Sequence, residues 1–183
     1  MELNKLYNMD CMDGMRHFPD KFFDLAIVDV PYGINAADYE RGGKRPGNAR
    51  ATSNTYTRKK WDKEPPPQGY FAELMRISRN QIIWGANHFI SRIPFDAPCW
   101  IVWDKDNGNN DYADCELAWT SFNTAVRKFL YTWVGFRQGN MKTRKPAYTP
   151  RKSPLRFILG SWRNTQSRGT KSLIPMRGAR QVL

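Results

Sequence analysis

Acidic residues are missing from the C-terminal part of this chain. No Asp or Glu follows Glu116, whereas residues 142–183 contain 11 Lys and Arg. Residues 1–141 hold 18 Lys and Arg against 17 Asp and Glu, so nearly all of the net charge of +12 comes from residues 142–183. This distribution excludes a uniformly basic domain. A basic tail of this kind is typical of a solvated or phosphate-binding arm.

Long apolar runs, cysteine and histidine are also scarce. The chain has no run of eighteen apolar residues, which excludes a membrane-spanning helix, and no apolar signal segment in its first ten residues, so we expect a cytoplasmic protein. Cys11, Cys99 and Cys115 lack metal-type spacing, and we expect them to be reduced and buried. His17 and His88 are isolated, so the sequence predicts no metal site.

The residues that are present favour one folded domain followed by a tail. The hydrophobic fraction of 40% and the aromatic fraction of 14% are typical of a globular protein. Alternating strand and helix patterns in residues 1–142 predict an α/β fold, whereas residues 143–183 have no such periodicity. The strand candidates are residues 6–10, Leu25–Val28, 81–85, 99–104, 115–122 and 129–136, and the helix candidates are residues 11–20 and 69–80.

The most informative segment follows the second strand candidate. Leu25–Val28 is a continuous apolar run, which is typical of a strand buried on both faces, and Asp29-Val30-Pro31-Tyr32 follows it directly. Ligands of open α/β sheets lie beyond the carboxyl ends of the strands, so this acid and this aromatic residue are candidate site residues. The alternative is an Asp that caps a loop beside a packed Tyr.

The segment DLAIVDVPYGI resembles the Asp-Pro-Pro-Tyr motif of the DNA methyltransferases that modify adenine N6 or cytosine N4. The resemblance covers residues 1–142 and extends through NQIIWGANHF, CWIVWDK, DCELAWTSF and QGNMK, which are similar to phage and prophage members of the family. It implies a class I, Rossmann-like methyltransferase fold in circularly permuted order, with the catalytic half first. It also implies a bacterial or phage-encoded protein that acts on double-stranded DNA.

The resemblance assigns catalytic roles to Asp29, Val30, Pro31 and Tyr32. The Asp29 carboxylate and the Val30 carbonyl would accept hydrogen bonds from the amino group of the target base, stabilising the charge that develops on its nitrogen. Tyr32 would stack on the base after it is flipped from the duplex, and Pro31 would shape the turn. The methyl donor would be S-adenosylmethionine. Val30 stands where the family has proline, so we expect reduced activity from the loss of a fixed φ angle.

Further roles come from strand ends and from a long polar segment. By resemblance, Asp10, the Cys11 amide and Asp29 would contact the cofactor, although Asp10 alternatively caps a helix. Asn87 and Asp104 also follow strands and either line the pocket or close turns. The polar and basic composition of residues 36–66 predicts a mobile basic loop, which either contacts DNA or is merely solvated. Its candidate DNA-binding residues are Lys44, Arg45, Arg50, Arg58, Lys59 and Lys60.

The tail fits an out-of-frame reading of the same family. Relatives continue after GNMK toward a His-Pro-Thr-Gln-Lys-Pro motif, a strand and a glycine-containing cofactor loop. With suitable third bases, codons for Tyr148–Pro154 yield that motif when read from the last base of the first codon, and the displaced reading continues through Ala179. Loss of one adenine at Lys142–Thr143 would produce this tail. We interpret residues 143–183 as an out-of-frame remnant; the rival interpretation is a basic arm that binds DNA.

The loss of the C-terminal half has structural consequences. The class I sheet has the strand order 3-2-1-4-5-7-6, and the permuted chain supplies strand 3 first and strands 1 and 2 last. We therefore expect an incomplete sheet, no neighbour for the first strand, an open apolar edge on the second strand, and self-association through that edge. Because the glycine loop is lost, we expect weak or absent binding of S-adenosylmethionine.

Several functions remain as hypotheses. The first is an impaired adenine-N6 DNA methyltransferase, since Asp29 favours adenine over cytosine N4, where Ser is commoner. The second is a DNA-binding remnant without catalysis, which salt-dependent binding would indicate. A methyltransferase for RNA or protein is a weaker third hypothesis. A restriction partner and an orphan phage enzyme are both compatible with the sequence.

Overall fold

The computed structural model describes residues 7–35, 62–108 and 113–132, and the backbone of strand segments at 133–134, 137–138, 172–173 and 181–182. Two short 3-10 turns, Ala86–His88 and Ile90–Arg92, follow the third strand. The helices and strands are β1 Tyr7–Asn8, α1 Cys11–Arg16, β2 Phe23–Asp29, α2 Gln68–Ile77, β3 Ser78–Trp84, β4 Trp100–Asp104, β5 Cys115–Thr120, β6 Arg127–Leu130, β7 Trp133–Val134, β8 Arg137–Gln138, β9 Ser172–Leu173 and β10 Gln181–Val182.

Six strands form a mixed sheet in the order β6-β4-β5-β3-β2-β9. β2 and β3 are parallel, and so are β4 and β6, whereas β5 runs antiparallel to both β3 and β4. The connection from β2 to β3 contains α2, as a crossover between parallel strands requires. The predicted α/β fold is confirmed at this level.

β2 contributes side chains to both hydrophobic cores. Leu25 is 1% exposed, and Ala26, Ile27 and Val28 are fully buried, which confirms the predicted burial on both faces. On one face Ala26 and Val28 belong to a cluster with residues of both helices, including Phe71. Successive strand residues point to opposite faces, so Leu25 and Ile27 enter a second cluster.

The second cluster is rich in tryptophan. It contains Leu25, Ile27, Ile82, Trp84, Trp103 and Ala118. Trp84 and Trp103 meet edge to face, with ring centroids 6.4 Å apart, and Trp103 stacks on Phe129. Aromatic pairs in these arrangements add to the free energy that burial of their area contributes.

The connection between α1 and β2 is fastened to the end of α2. Arg76 donates hydrogen bonds to the Phe18 carbonyl and to Asp20, and it forms an ion pair with Glu73. The hydrogen bond from Arg76 holds the pKa of Glu73 below its ordinary value. Lys21 donates to the carbonyls of Met75 and Ser78. These bonds set the point at which β2 enters the sheet beside β3.

Two predicted boundaries are wrong. The helix predicted over residues 69–80 ends at Ile77, because Ser78, Arg79 and Asn80 belong to β3 and lie alongside Phe23–Leu25 in the parallel ladder. The strand predicted over 129–136 is divided into β6 and β7. In the first case pairing with β2 outweighs local helix propensity, which is a weak determinant when a tertiary partner is available.

The prediction of an isolated first strand and a fully open β2 edge is also wrong. β9 pairs parallel with β2 at Leu25 and Ala26, and β10 pairs antiparallel with β1. An apolar edge strand presents free backbone groups, and an extended segment satisfies them whatever its side chains are. β9 therefore extends the main sheet, and β10 forms a separate two-stranded sheet with β1. Both added strands are only two residues long.

The cysteines only partly follow the prediction. Cys99 is buried, Cys11 is half-buried and Cys115 is exposed, and all three are free. Cys115 is the first residue of β5, and exposure decreases along this strand from Cys115 to Thr120. In the described part of the chain, no helix is both long enough and apolar enough to cross a membrane.

Candidate active site

The segment Asp29–Tyr32 forms a turn at the carboxyl end of β2. Asp29 is the last residue of β2 and lies opposite Trp84 of β3 in the parallel ladder. Val30 and Tyr32 are 6% and 9% exposed and belong to the helix-covered core, whereas Pro31 is half-buried. The structure therefore places this segment at the sheet edge where ligands of α/β proteins bind.

The Tyr32 side chain is fixed at both its hydroxyl group and its ring. The hydroxyl donates a hydrogen bond to Asp29 Oδ1 at 2.9 Å. The ring stacks on the imidazole of His88, with centroids 5.1 Å apart and an interplanar angle of 15°. His88 itself is exposed. A planar group that stacked on this face of Tyr32 would have to take the place of the His88 ring.

Gly85 lies against the Tyr32 ring and leaves room for it. Its φ angle is +68°, and a Cβ atom added there would lie 2.1 Å from Tyr32 Cε1. Both the left-handed backbone and the close approach require glycine at this position. Gly85 directly follows β3, and Tyr32 lies in the turn after the neighbouring strand β2. The glycine after one strand therefore leaves room for the tyrosine ring after the other.

Asp62 holds the backbone of the turn. Its Oδ1 atom accepts hydrogen bonds from the amides of Tyr32, at 2.7 Å, and Gly33, at 3.0 Å. Its own carbonyl accepts the amide of Asn35 at 3.0 Å. Asp62 is 1% exposed, so these bonds form in a buried environment, where an unsatisfied partner would be costly.

The segment after Asp62 packs against the same turn. Gly33 has a φ angle of +74°, and a Cβ atom added there would lie 2.5 Å from Pro65 Cδ. Arg92 donates hydrogen bonds to the carbonyls of Pro65 and Pro66, which ties this segment to the turn after β3. Residues 62–66 therefore contact the candidate site. Asp62 is buried and the two prolines are half-buried, whereas Lys63 and Glu64 are exposed.

Asp10 acts as a helix cap in this structure. Its Oδ1 atom accepts the amides of Met12 at 2.8 Å and Asp13 at 3.4 Å at the start of α1. Cys11 packs beside the helix-covered core that also contains Tyr32. Burial, and then the negative charge of Asp10, raise the pKa of the Cys11 thiol. The capping interpretation of Asp10 is confirmed, and its cofactor role stays a prediction.

The other two strand-end candidates lie in different surroundings. Asn87 is exposed in the turn after β3. Asp104 forms an ion pair with Lys128 at 2.7 Å and accepts the amide of Asp106 at 3.0 Å. The hydrogen bond from Lys128 keeps the pKa of Asp104 below its ordinary value. Asp104 therefore closes a turn and joins β4 to β6, as the structural alternative predicted.

The candidate DNA-binding residues lie outside the described residues. They are Lys44, Arg45, Arg50, Arg58, Lys59 and Lys60. Within residues 7–35, 62–108 and 113–132, no group of three or more His, Cys, Asp or Glu side chains is arranged to hold a metal ion.

Sequence reasoning missed three residues that surround Tyr32. Asp62, Gly85 and His88 lie 30 to 56 positions away from it in the chain. Gly85 could have been found, because a glycine directly after an apolar strand often marks a close backbone approach. Asp62 and His88 carry no local pattern that distinguishes them from surface residues.

Comparison of the sequence with protein-family models finds no match, and comparison with curated proteins finds none either.

Proposed function

We propose that this chain is the catalytic half of a DNA amino-methyltransferase, with adenine N6 as the target, and that its methyl-transfer activity is impaired. The observation that carries the proposal is the turn Asp29–Tyr32, in which a carboxylate and an aromatic ring meet at the carboxyl end of a buried parallel strand. An acid beside an aromatic ring suits an aminopurine, because the acid accepts amino hydrogens and the ring stacks on the base.

The order of the strands supports the same proposal. β2, β3, β5 and β4 lie side by side, so the fourth of these strands in the chain is inserted between the second and the third. The sheet order of class I methyltransferases, 4-5-7-6 in this half, has the same insertion. β6 lies beyond β4 and has no counterpart in that order.

Asp29 and Tyr32 would act on the base directly. The Asp29 carboxylate would accept a hydrogen bond from the amino group, which raises electron density on the nitrogen and stabilises positive charge there. Tyr32 would release or share its hydrogen bond to Asp29 and stack on the base. His88 covers the Tyr32 ring in the structure, so entry of the base requires that this side chain move.

The residues present do not fit S-adenosylmethionine completely. Asp10 and the Cys11 amide stand at one strand end, as that cofactor requires. However, β9, the strand beside β2, is followed by Ile174-Pro175-Met176, and the chain contains no acidic residue after Glu116. A glycine loop and a carboxylate for the polar parts of the cofactor are therefore missing, and we expect weak or absent binding.

The test is to restore the reading frame by inserting one adenine at the codons for Lys142–Thr143. The restored chain and the 183-residue chain are titrated with S-adenosylmethionine and incubated with unmethylated genomic DNA, and modified bases are measured by mass spectrometry. We expect cofactor binding and N6-methyladenine from the restored chain alone. Asp29→Ala in the restored chain should reduce the rate by roughly a hundredfold or more.

Each other outcome has a defined meaning. A folded restored chain that neither binds the cofactor nor modifies DNA would overturn the proposal. Formation of N4-methylcytosine would change the target to cytosine. Salt-dependent DNA binding by the 183-residue chain without methyl transfer from either chain would favour the DNA-binding remnant. Natural codons incompatible with the displaced reading would refute the out-of-frame interpretation.

A further inference from the structure

The buried carboxylate of Asp62 has no role in the proposed chemistry, and yet it accepts hydrogen bonds from the amides of Tyr32 and Gly33. It is 1% exposed. Taking a carboxylate out of water is costly unless hydrogen bonds compensate for the lost solvation. Two of the compensating donors are the amides of Tyr32 and Gly33, so the cost of burial is linked to one conformation of this turn.

Both amides bond to the same oxygen atom, Oδ1, which determines what the contact can do. One acceptor shared by two consecutive amides is possible only when both N–H groups point to the same side of the chain. The two amides belong to the peptide units on either side of Tyr32, so the shared acceptor restricts the backbone angles of Tyr32. Asp62 therefore constrains the direction in which the chain leaves Tyr32.

The constraint continues from the backbone to the reacting groups. With its amide held by Asp62, Tyr32 places its hydroxyl 2.9 Å from Asp29 Oδ1. On the other side, Arg92 holds the carbonyls of Pro65 and Pro66 and so limits movement of the segment that carries Asp62. A connected set of bonds thus runs from the turn after β3 to the Asp29 carboxylate.

We propose that Asp62 is a positioning residue that sets the Tyr32–Asp29 pair through the backbone of the turn. Its importance for catalysis rests on the proposed function, because it matters only if Asp29 and Tyr32 contact the base. Val30 packs in the core but does not have the fixed φ angle of proline, so the hydrogen bonds to Asp62 are a constraint on the turn that residue 30 does not provide.

The experiment uses the 183-residue chain without cofactor or DNA, so its result does not depend on methyl transfer. Amide hydrogen exchange of Tyr32 and Gly33 is measured by NMR in the wild type, Asp62→Ala and Asp62→Asn. The Tyr32 ring is followed through a tyrosine label at Cζ, assigned with Tyr32→Phe. Asp29→Asn provides the reference signal for a weakened Tyr32–Asp29 pair.

In Asp62→Ala we expect both amides to exchange roughly tenfold faster or more, and the Tyr32 signal to move toward that of Asp29→Asn. Asp62→Asn should retain most of the protection and the wild-type Tyr32 signal, because its Oδ1 atom still accepts both amides. A purely structural role would change global stability without moving the Tyr32 signal.

Three results would overturn the proposal. They are fast exchange of both amides in the folded wild type, an unchanged Tyr32 signal in a folded Asp62→Ala variant, and equal losses in Asp62→Asn and Asp62→Ala. If Asp62→Ala does not fold, the wild-type exchange rates and the Asp62→Asn variant still decide the question. Failure of the restored chain to methylate DNA would leave these measurements unaffected.

Discussion

Asp10 and Asp29 each stand at the carboxyl end of a strand, and their carboxylates have different partners. Asp10 follows the two-residue strand β1 and accepts the first amides of α1, one of them 2.8 Å away. Asp29 ends the seven-residue strand β2 and accepts the hydroxyl group of Tyr32 at 2.9 Å. The first carboxylate caps its own helix. The second bonds to a tyrosine three residues away, and that tyrosine is held by Asp62 and His88, which are distant in the chain.

The difference lies in what surrounds each strand end. Five residues of β2 are at most 1% exposed, and the turn after β2 is met by residues from the segments before α2 and after β3. β1 pairs only with β10 among the described strands. A carboxylate becomes a candidate reacting group where packing from several segments limits the positions of its neighbours.

The largest expected effect is at Gly85. In Gly85→Ala, the left-handed φ angle and the overlap with the Tyr32 ring should together cost roughly 2–5 kcal/mol of unfolding free energy. Urea denaturation measures this cost, and the Tyr32 signal should shift as well. Gly69→Ala is the matched control, because no atom lies within 4 Å of its added Cβ. A Gly85→Ala variant with wild-type stability and an unchanged Tyr32 signal would show that this contact does not shape the site.

A smaller effect is expected at Asp10. Asp10→Ala removes the cap of α1 and should cost about 1 kcal/mol, whereas Asp10→Asn should be close to neutral because Asn also caps helices. Thermal or urea unfolding provides the measurement. The Tyr32 signal should not change in either variant. If it did, the two strand ends would be coupled, and the contrast drawn between them would be wrong.

The smallest expected effect distinguishes two tryptophans near the Asp29 end of the sheet. Trp103 Nε1 donates to the Tyr131 carbonyl at 2.9 Å, whereas the buried Nε1 of Trp84 has no hydrogen-bond partner among the described residues. Both changes to Phe remove similar ring volume, so Trp103→Phe should be the more destabilising by about 1 kcal/mol. Equal losses in urea unfolding would mean that the Trp84 indole makes a compensating bond in solution.

Much of the fold could be predicted because its signals are local. The apolar run Leu25–Val28 bounded by Asp29 and Pro31 predicted a strand buried on both faces, and spacing of apolar residues predicted α2. The end of α2 could not be predicted, since Ser78–Asn80 became strand only by pairing with β2. No pattern in the sequence predicted that β9 pairs with β2 or that β10 pairs with β1, because backbone hydrogen bonds do not depend on side-chain pattern.

The candidate site was predictable only in part. The motif Asp29–Tyr32 was found from its residues and its place after a strand, and Asp10 was correctly given helix capping as one of its two alternatives. Asp62 and His88 are ordinary polar residues in the sequence. Their partners are distant in the chain, and no period of two or 3.6 links residues that meet through tertiary packing.

By itself, the sequence determined the order of the elements in residues 1–142, the two-sided burial of β2, the position of the Asp29–Tyr32 motif and the concentration of charge in the tail. Each depends on neighbouring residues or on composition. Tertiary structure decided which side chains meet at Tyr32 and that Asp62 is buried. These outcomes depend on how separate segments share space, and local sequence does not encode that geometry in a readable pattern.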